Sequence, residues 1–117
     1  MNNVEKQYWK YGLHDAVITK IESKISNGKN CLSIYLDTEN ACAEKVSRID
    51  FYSFDACWKG GRIKDFSHYI NSWWIKDTLD NQGNAYKLYL TLKYEGSGSY
   101  EEITIQFENM TVIRENI

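Results

Sequence analysis

The chain of 117 residues carries 14 basic and 16 acidic side chains, a net charge of −2, and is 43% hydrophobic with no proline. That length suits a single domain, residues 1–117, with a core that needs neither metal nor disulfide, and the composition excludes disordered and low-complexity classes. The successive stretches 1–30, 31–60, 61–90 and 91–117 sum to +2, −2, +1 and −3, so none offers a basic face for nucleic acid, and no apolar run approaches the roughly 18 residues of a membrane span.

The opening residues, Met1 to Tyr11, are polar and charged, unlike a secretory signal. The stretch from Val4 to Tyr11 predicts a short helix. Beyond it Val17, Thr19, Ile21, Ser23 and Ile25 alternate with their neighbours, as do Leu32, Ile34 and Leu36, and a period of two marks half-buried strands. Between these runs stands Asn27-Gly28, the residue pair best suited to the positive φ angles of a type I′ hairpin turn. It predicts Ile21 opposite Ile34. A further strand is predicted from Lys45 to Phe54, with Ile49 and Phe51 inward and Asp50 and Tyr52 outward. Gly60-Gly61 marks a turn. Ile63, Phe66 and Ile70 then stand at i, i+3 and i+7, which predicts a second short helix from Ile63 to Ile70.

The last third alternates most strictly. A two-residue turn at Gln82-Gly83 sets Leu79 opposite Tyr86, Ile75 opposite Leu90 and Trp73 opposite Leu92. This register places Trp74, Lys76 and Thr78 on the polar face, Trp74 beside Thr91 and Lys76 beside Tyr89. It also points Asp77 inward beside Leu88, which a bulge or an edge position would accommodate. The strand from Tyr86 to Tyr94 sends Leu88, Leu90 and Leu92 to one side. Gly96-Ser97-Gly98-Ser99 turns the chain, and Ile103, Ile105 and Phe107 alternate in the return strand. A turn centred there sets Leu92 opposite Ile103 and Leu90 opposite Ile105, with Lys93 opposite Glu102 and Lys87 opposite Glu108. The prediction is a mainly β fold: an antiparallel β-sandwich or partly closed barrel of about six strands, with one or two short helices.

Reactive residues are few. Cys31, Cys42 and Cys57 are odd in number, lack any C-x-x-C spacing, and read as free thiols of a reducing cytoplasm. Three cysteines and two histidines show no zinc spacing, so no metal and no cofactor is expected. His14-Asp15 has the residue types of a metal-dependent phosphohydrolase, but that chemistry needs further histidines on a helical frame, and only His68 remains. Adjacent residues at a strand start also point to opposite faces. Ser67-His68 lacks a nucleophile elbow, and Gly96-x-Gly98 lacks the third glycine of a dinucleotide loop. Cys57 with His68, Asp77 with Asp80, and Glu101 with Glu102 are pairings that chance supplies readily. No catalytic set is expected.

Aromatic residues are plentiful, with 4 Trp, 9 Tyr and 4 Phe. Most belong in the core and in cross-strand packing. The exceptions by register are Trp74, Tyr89 and Tyr52, all outward, and Trp58 in the loop from Asp55 to Arg62. Exposed Trp and Tyr dominate the energetics of protein–protein contacts. The expected partner-binding residues are therefore Trp74, Tyr89, Lys76, Trp58 and Tyr52, serving a protein partner or self-association.

Tyr11-Gly12-Leu13-His14-Asp15-Ala16 before the first strand, Ile49-Asp50-Phe51, Trp73-Trp74-Ile75 and the closing hairpin give an order of elements that resembles small bacterial single-domain β proteins, among them immunity-type proteins of toxin systems. The resemblance implies a cytoplasmic protein whose role is binding, with no catalytic residues to transfer. The expected function is a non-enzymatic binding module, an immunity or small regulatory protein. The alternative is a small enzyme or ligand-binding β-barrel whose cleft mixes residues from several loops.

Overall fold

The computed structural model describes residues 3–11, 13, 16–37, 45–58, 61–63, 67–94 and 100–115. Among them one helix, α1 (Asn3–Tyr11), precedes nine strands: β1 (Val17–Ser26), β2 (Lys29–Leu36), β3 (Val46–Tyr52), β4 (Asp55–Trp58), β5 (Gly61–Ile63), β6 (Ser67–Asn81), β7 (Tyr86–Tyr94), β8 (Tyr100–Phe107) and β9 (Asn109–Arg114). All nine form one antiparallel sheet in the order β5-β4-β8-β7-β6-β1-β2-β3-β9. The mainly β expectation holds, with more strands than the six read from the alternation. Among the described residues no ladder joins the end strands β5 and β9, so the sheet is not closed into a barrel.

The β1–β2 hairpin forms as its turn demands. Asn27 and Gly28 take φ of 52° and 77°, the left-handed angles of a type I′ turn, and Ile21 faces Ile34. One residue breaks the expected alternation. The register slips at Thr19, so Ile18 joins Ile21 in the core and both are fully buried. On β3, Ile49 and Phe51 point inward as expected.

Two corners account for two of the three added strands, β4 and β9. Chain continuity carries β3 through Ser53 and Phe54 into β4, and β8 through Glu108 into β9. The same two stretches stay paired across the bend: Tyr52 faces Asn109 and Asp55 faces Gln106 in one register. Strands that pass a bend in this way belong to both halves of a folded sheet. Ser53 sits at the bend with φ of 53°, and its N–H donates to Asn30 O at 2.9 Å. The loop expected from Asp55 to Arg62, Trp58 included, is therefore largely strand.

The helix expected from Ile63 to Ile70 does not form. Residues 61–63 are β5 and residues 67–70 open the fifteen-residue strand β6; Phe66 lies outside the described residues. Tyr69, Ile70, Trp73, Trp74 and Ile75 are aromatic or β-branched and favour a pleated surface. Strand β6 pairs with β1 through its first half and with β7 through its second, and those two ladders outweigh three apolar residues at helical spacing.

Both C-terminal registers differ from expectation by two residues. Leu79 faces Leu88 and Asn81 faces Tyr86, because the connection is four residues long and is closed by a Gln82 N–H to Ala85 O bond of 2.9 Å. Leu90 faces Ile103 and Leu88 faces Ile105. A shift of two preserves which face each side chain takes, so the inward set of β7 and β8 survives; on β6, Trp73 and Ile75, expected inward, are exposed instead. The expected charge pairs do not survive: Lys93 faces Tyr100 and Lys87 faces Gln106. The Gly96–Ser99 turn lies outside the described residues, as do His14, Asp15 and Cys42.

The inner faces meet around Ile21, Ile34, Phe51, Leu88, Ile105 and Phe107, all fully buried. Phe51 meets Phe107 edge-on at 4.8 Å and Tyr86 stacks on it at 5.5 Å. Helix α1 lies across the sheet between β6 and β9. Tyr8 is buried, Val4 and Tyr11 pack against the core, Asn81 Nδ2 donates to Glu5 Oε1 at 2.8 Å, and the Arg114 guanidinium stands 5.4 Å from the Tyr11 ring.

Candidate interaction surface

An antiparallel sheet with one face on the core turns alternate residues of each strand to the outside. On β6, β7 and β8 the outer residues form four rows across the strands. They are Trp73–Lys93–Tyr100, Lys76–Thr91–Glu102, Thr78–Tyr89–Thr104 and Asp80–Lys87–Gln106. Strand β4 extends the last two rows with Cys57 and Asp55. Threonine, lysine and carboxylates are what a wet sheet face calls for; the large apolar side chains are not. Among the described residues six large hydrophobics are exposed, and four of them are on this face: Trp73 at 45%, Ile75 at 37%, Tyr89 at 42% and Tyr100 at 63%. The Lys87 ammonium lies 5.4 Å from the Tyr89 ring and that of Lys93 lies 6.0 Å from the Tyr100 ring.

Of the five residues expected at a binding surface, Tyr89 and Lys76 are on this face. Trp74 is not, which corrects its outward placement. The register slips between Trp74 and Lys76, leaving Ile75 as an extra residue. The bulge turns Trp73 outward and Trp74 inward, where it is half-buried against the core. Its Nε1 donates to Asp77 Oδ1 at 3.0 Å, and the other Asp77 oxygen accepts the Tyr8 hydroxyl. Asp77 thus points inward as the sequence suggests, and it is served by two donors there. Burial first, then the Asp77 charge and hydrogen bond, raise the Tyr8 phenol well above its ordinary pKa.

Trp58 sits on the inner side of β4, packed against the core, and donates from Nε1 to Glu101 Oε2 at 3.2 Å. Tyr52 is half-buried and lines a shallow cleft of about 230 Å³ with Ser26, Asn27, Lys29, Ser53, Glu108 and Asn109. Trp58 is thus on the opposite face of the sheet from Tyr89, and Tyr52 lies on β3, beyond the corner. Trp73, Ile75 and Tyr100 are the residues that sequence reasoning missed. In the run Trp73-Trp74-Ile75 every residue is apolar, so alternation alone cannot say which one faces out.

The outer face of β1, β2 and β3 is occupied differently. Asp50, expected outward, is on that face but only 3% exposed. Ser33 Oγ donates to its Oδ1 at 2.6 Å. Arg48 Nε stands 2.9 Å from the same oxygen, at an angle that makes an ion pair without a proper hydrogen bond. Tyr35 donates to Glu22 Oε1 at 3.1 Å, Lys20 pairs with Glu22 at 3.0 Å, and both Lys20 and Arg48 lie over the Tyr35 ring. Long side chains cover the short ones. Cys31 lies fully buried among them, 3.8 Å from Ser33 Oγ, and burial raises its thiol pKa. A protonated, enclosed thiol is a poor nucleophile.

Among the described residues no group of three or more His, Cys, Asp and Glu side chains is arranged to hold a metal ion, and no helix is long and apolar enough to cross a membrane. No family model, curated protein or solved structure matches the chain.

Proposed function

We propose that this chain is a non-enzymatic binding module, an immunity-type or small regulatory protein of the bacterial cytoplasm, that engages a protein through the outer face of β6, β7 and β8. The observation that carries the reading is the concentration of exposed Trp73, Ile75, Tyr89 and Tyr100 on that face. Large rigid aromatics among short polar neighbours gain little in an isolated molecule and much when a partner covers them. The test is site-specific photo-crosslinking in the native cell. A crosslinker at position 89 is expected to yield a discrete adduct that Trp73→Ser abolishes, whereas one at position 25, still more exposed on the β1–β2 hairpin, yields none. Equal labelling from both positions, or none from position 89, removes the proposal.

A further inference from the structure

The charges on the aromatic face are arranged about β7 in a way that points to its occupant. Across the central strand, Lys76 on β6 and Glu102 on β8 lie in one row, on opposite sides of Thr91. Trp73 and Tyr100 flank Lys93, and Thr78 and Thr104 flank Tyr89. Counting β4, three lysines stand against three carboxylates, so the face is neutral as a whole: Lys76 and Asp80 are on β6, Lys87 and Lys93 on β7, and Glu102 and Asp55 on β8 and β4.

We infer that this face is a self-complementary interface between two copies of the chain, related by a twofold axis that runs parallel to β7 above it. This rests on the binding reading and names the partner. In a twofold contact every pairing occurs twice. Rotation about β7 lays the β6 of one copy over the β8 of the other. Lys76 then meets Glu102 of the partner subunit, Trp73 meets the partner's Tyr100, and Tyr89 packs on its own equivalent. The other in-plane axis, across the strands, lays Lys93 over Lys87 and leaves Lys76 and Glu102 opposite threonines. Of these two axes, both centred on the four rows, the one along β7 brings opposite charges together. The lysines of β7 face their own equivalents in this arrangement, but each head is already turned toward a ring of its own copy, Lys87 to Tyr89 and Lys93 to Tyr100.

The footprint bounds the strength. At a strand spacing of about 4.8 Å and a rise of about 3.4 Å per residue, four rows over the three strands β6, β7 and β8 cover roughly 400 Å² per copy, below the ~800 Å² of a standard stable interface. The dimer is therefore reversible and concentration-dependent.

Sedimentation equilibrium over micromolar to near-millimolar protein tests this. The mass of the unaltered chain is expected to rise from monomer toward dimer. Lys76→Glu alone sets carboxylate against carboxylate, and Glu102→Lys alone sets ammonium against ammonium. Each is expected to stay monomeric while retaining the circular dichroism of the parent. An equimolar mixture of the two restores both ion pairs and is expected to form a heterodimer, as the double variant forms a homodimer. The inference is overturned if the unaltered chain stays monomeric throughout, or if either single variant dimerises as well as the parent. A monomeric chain whose position-89 crosslinker captures a different protein overturns self-association and leaves the binding reading standing; a monomeric chain with no adduct removes both.

Discussion

The Tyr8 hydroxyl donates to the carboxylate of Asp77, sixty-nine positions along the chain, and this bond fastens the N-terminal helix to the longest strand of the sheet. Asp77 faces the core side, where an unpaired carboxylate is costly. The bond therefore serves both ends: it anchors α1 and it satisfies Asp77.

Tyr8→Phe is expected to destabilise the fold by about 1–3 kcal/mol near neutral pH, the cost of removing one partner from a buried hydrogen bond to a charged group. The pH dependence has a definite sign. The folded phenol is held well above its ordinary value of 10.0, so its contribution is complete below about pH 10, where the unfolded phenol titrates, and is lost as pH climbs beyond that toward the raised folded value. Urea denaturation at a series of pH values should show the gap between the parent and the Phe variant narrowing above about pH 10.

The tryptophan pair offers a sharp contrast. Trp74→Ala removes a half-buried indole and its bond to Asp77 and is expected to cost about 2–4 kcal/mol. Trp73→Ser, one residue away on the exposed side, is expected to stay within about 0.5 kcal/mol in the monomer. Thermal or urea melts at low protein concentration check both. Reversed magnitudes would mean that the bulge at Ile75 is misplaced.

On the other face, Asp50→Ala leaves Ser33 without its acceptor and Arg48 without its counter-charge. The loss expected is about 2–3 kcal/mol, below the ~3–5 kcal/mol of a fully buried broken pair, because the Arg48 side chain is 30% exposed. Ser33→Ala, which spares the ion pair, should cost only about 1 kcal/mol. Chemical denaturation of the two variants tests the order as well as the size.

Thiol labelling reads burial directly. Cys57 is exposed and Cys31 is fully buried, so in the native protein a thiol reagent should modify Cys57 promptly and Cys31 only as the molecule opens. Mass mapping of the labelled peptides distinguishes the two. Prompt labelling of Cys31 would contradict the closed cluster over β2.

The parts of this fold legible in the sequence are those governed by strict local rules. Asn27-Gly28 dictates its turn type and hence the pairing of Ile21 with Ile34. Alternation dictates the inward set Leu88, Leu90, Ile103, Ile105 and Phe107, and that set tolerates a two-residue error in register because side chains repeat every two positions. Turn length is not written so plainly, and both C-terminal registers differ for that reason. Bulges are less legible still. The extra residue at Thr19 and the one at Ile75 each reverse the parity of the strand across the slip, which is how Trp73 rather than Trp74 comes to the surface. The candidate face is visible in outline through Tyr89 and Lys76. The corner at Ser53 and Phe54, which makes a strand of residues 55–58 and takes Trp58 inward, depends on partners in β8 that local sequence does not reveal.

That corner also bears on the order of folding. The β1–β2 and β7–β8 pairings join neighbouring stretches and need only short loops to close. The ladder through the bend joins residues 46–58 to residues 103–114, so more than a third of the chain must be ordered or looped out before it forms, and such non-local pairings slow folding. The two hairpins are expected to assemble early and the long ladder last. A chain ending before β8 would bare the outer edges of β7 and β3 and leave β4 with only the three-residue β5 beside it, and bare edges of this kind drive aggregation.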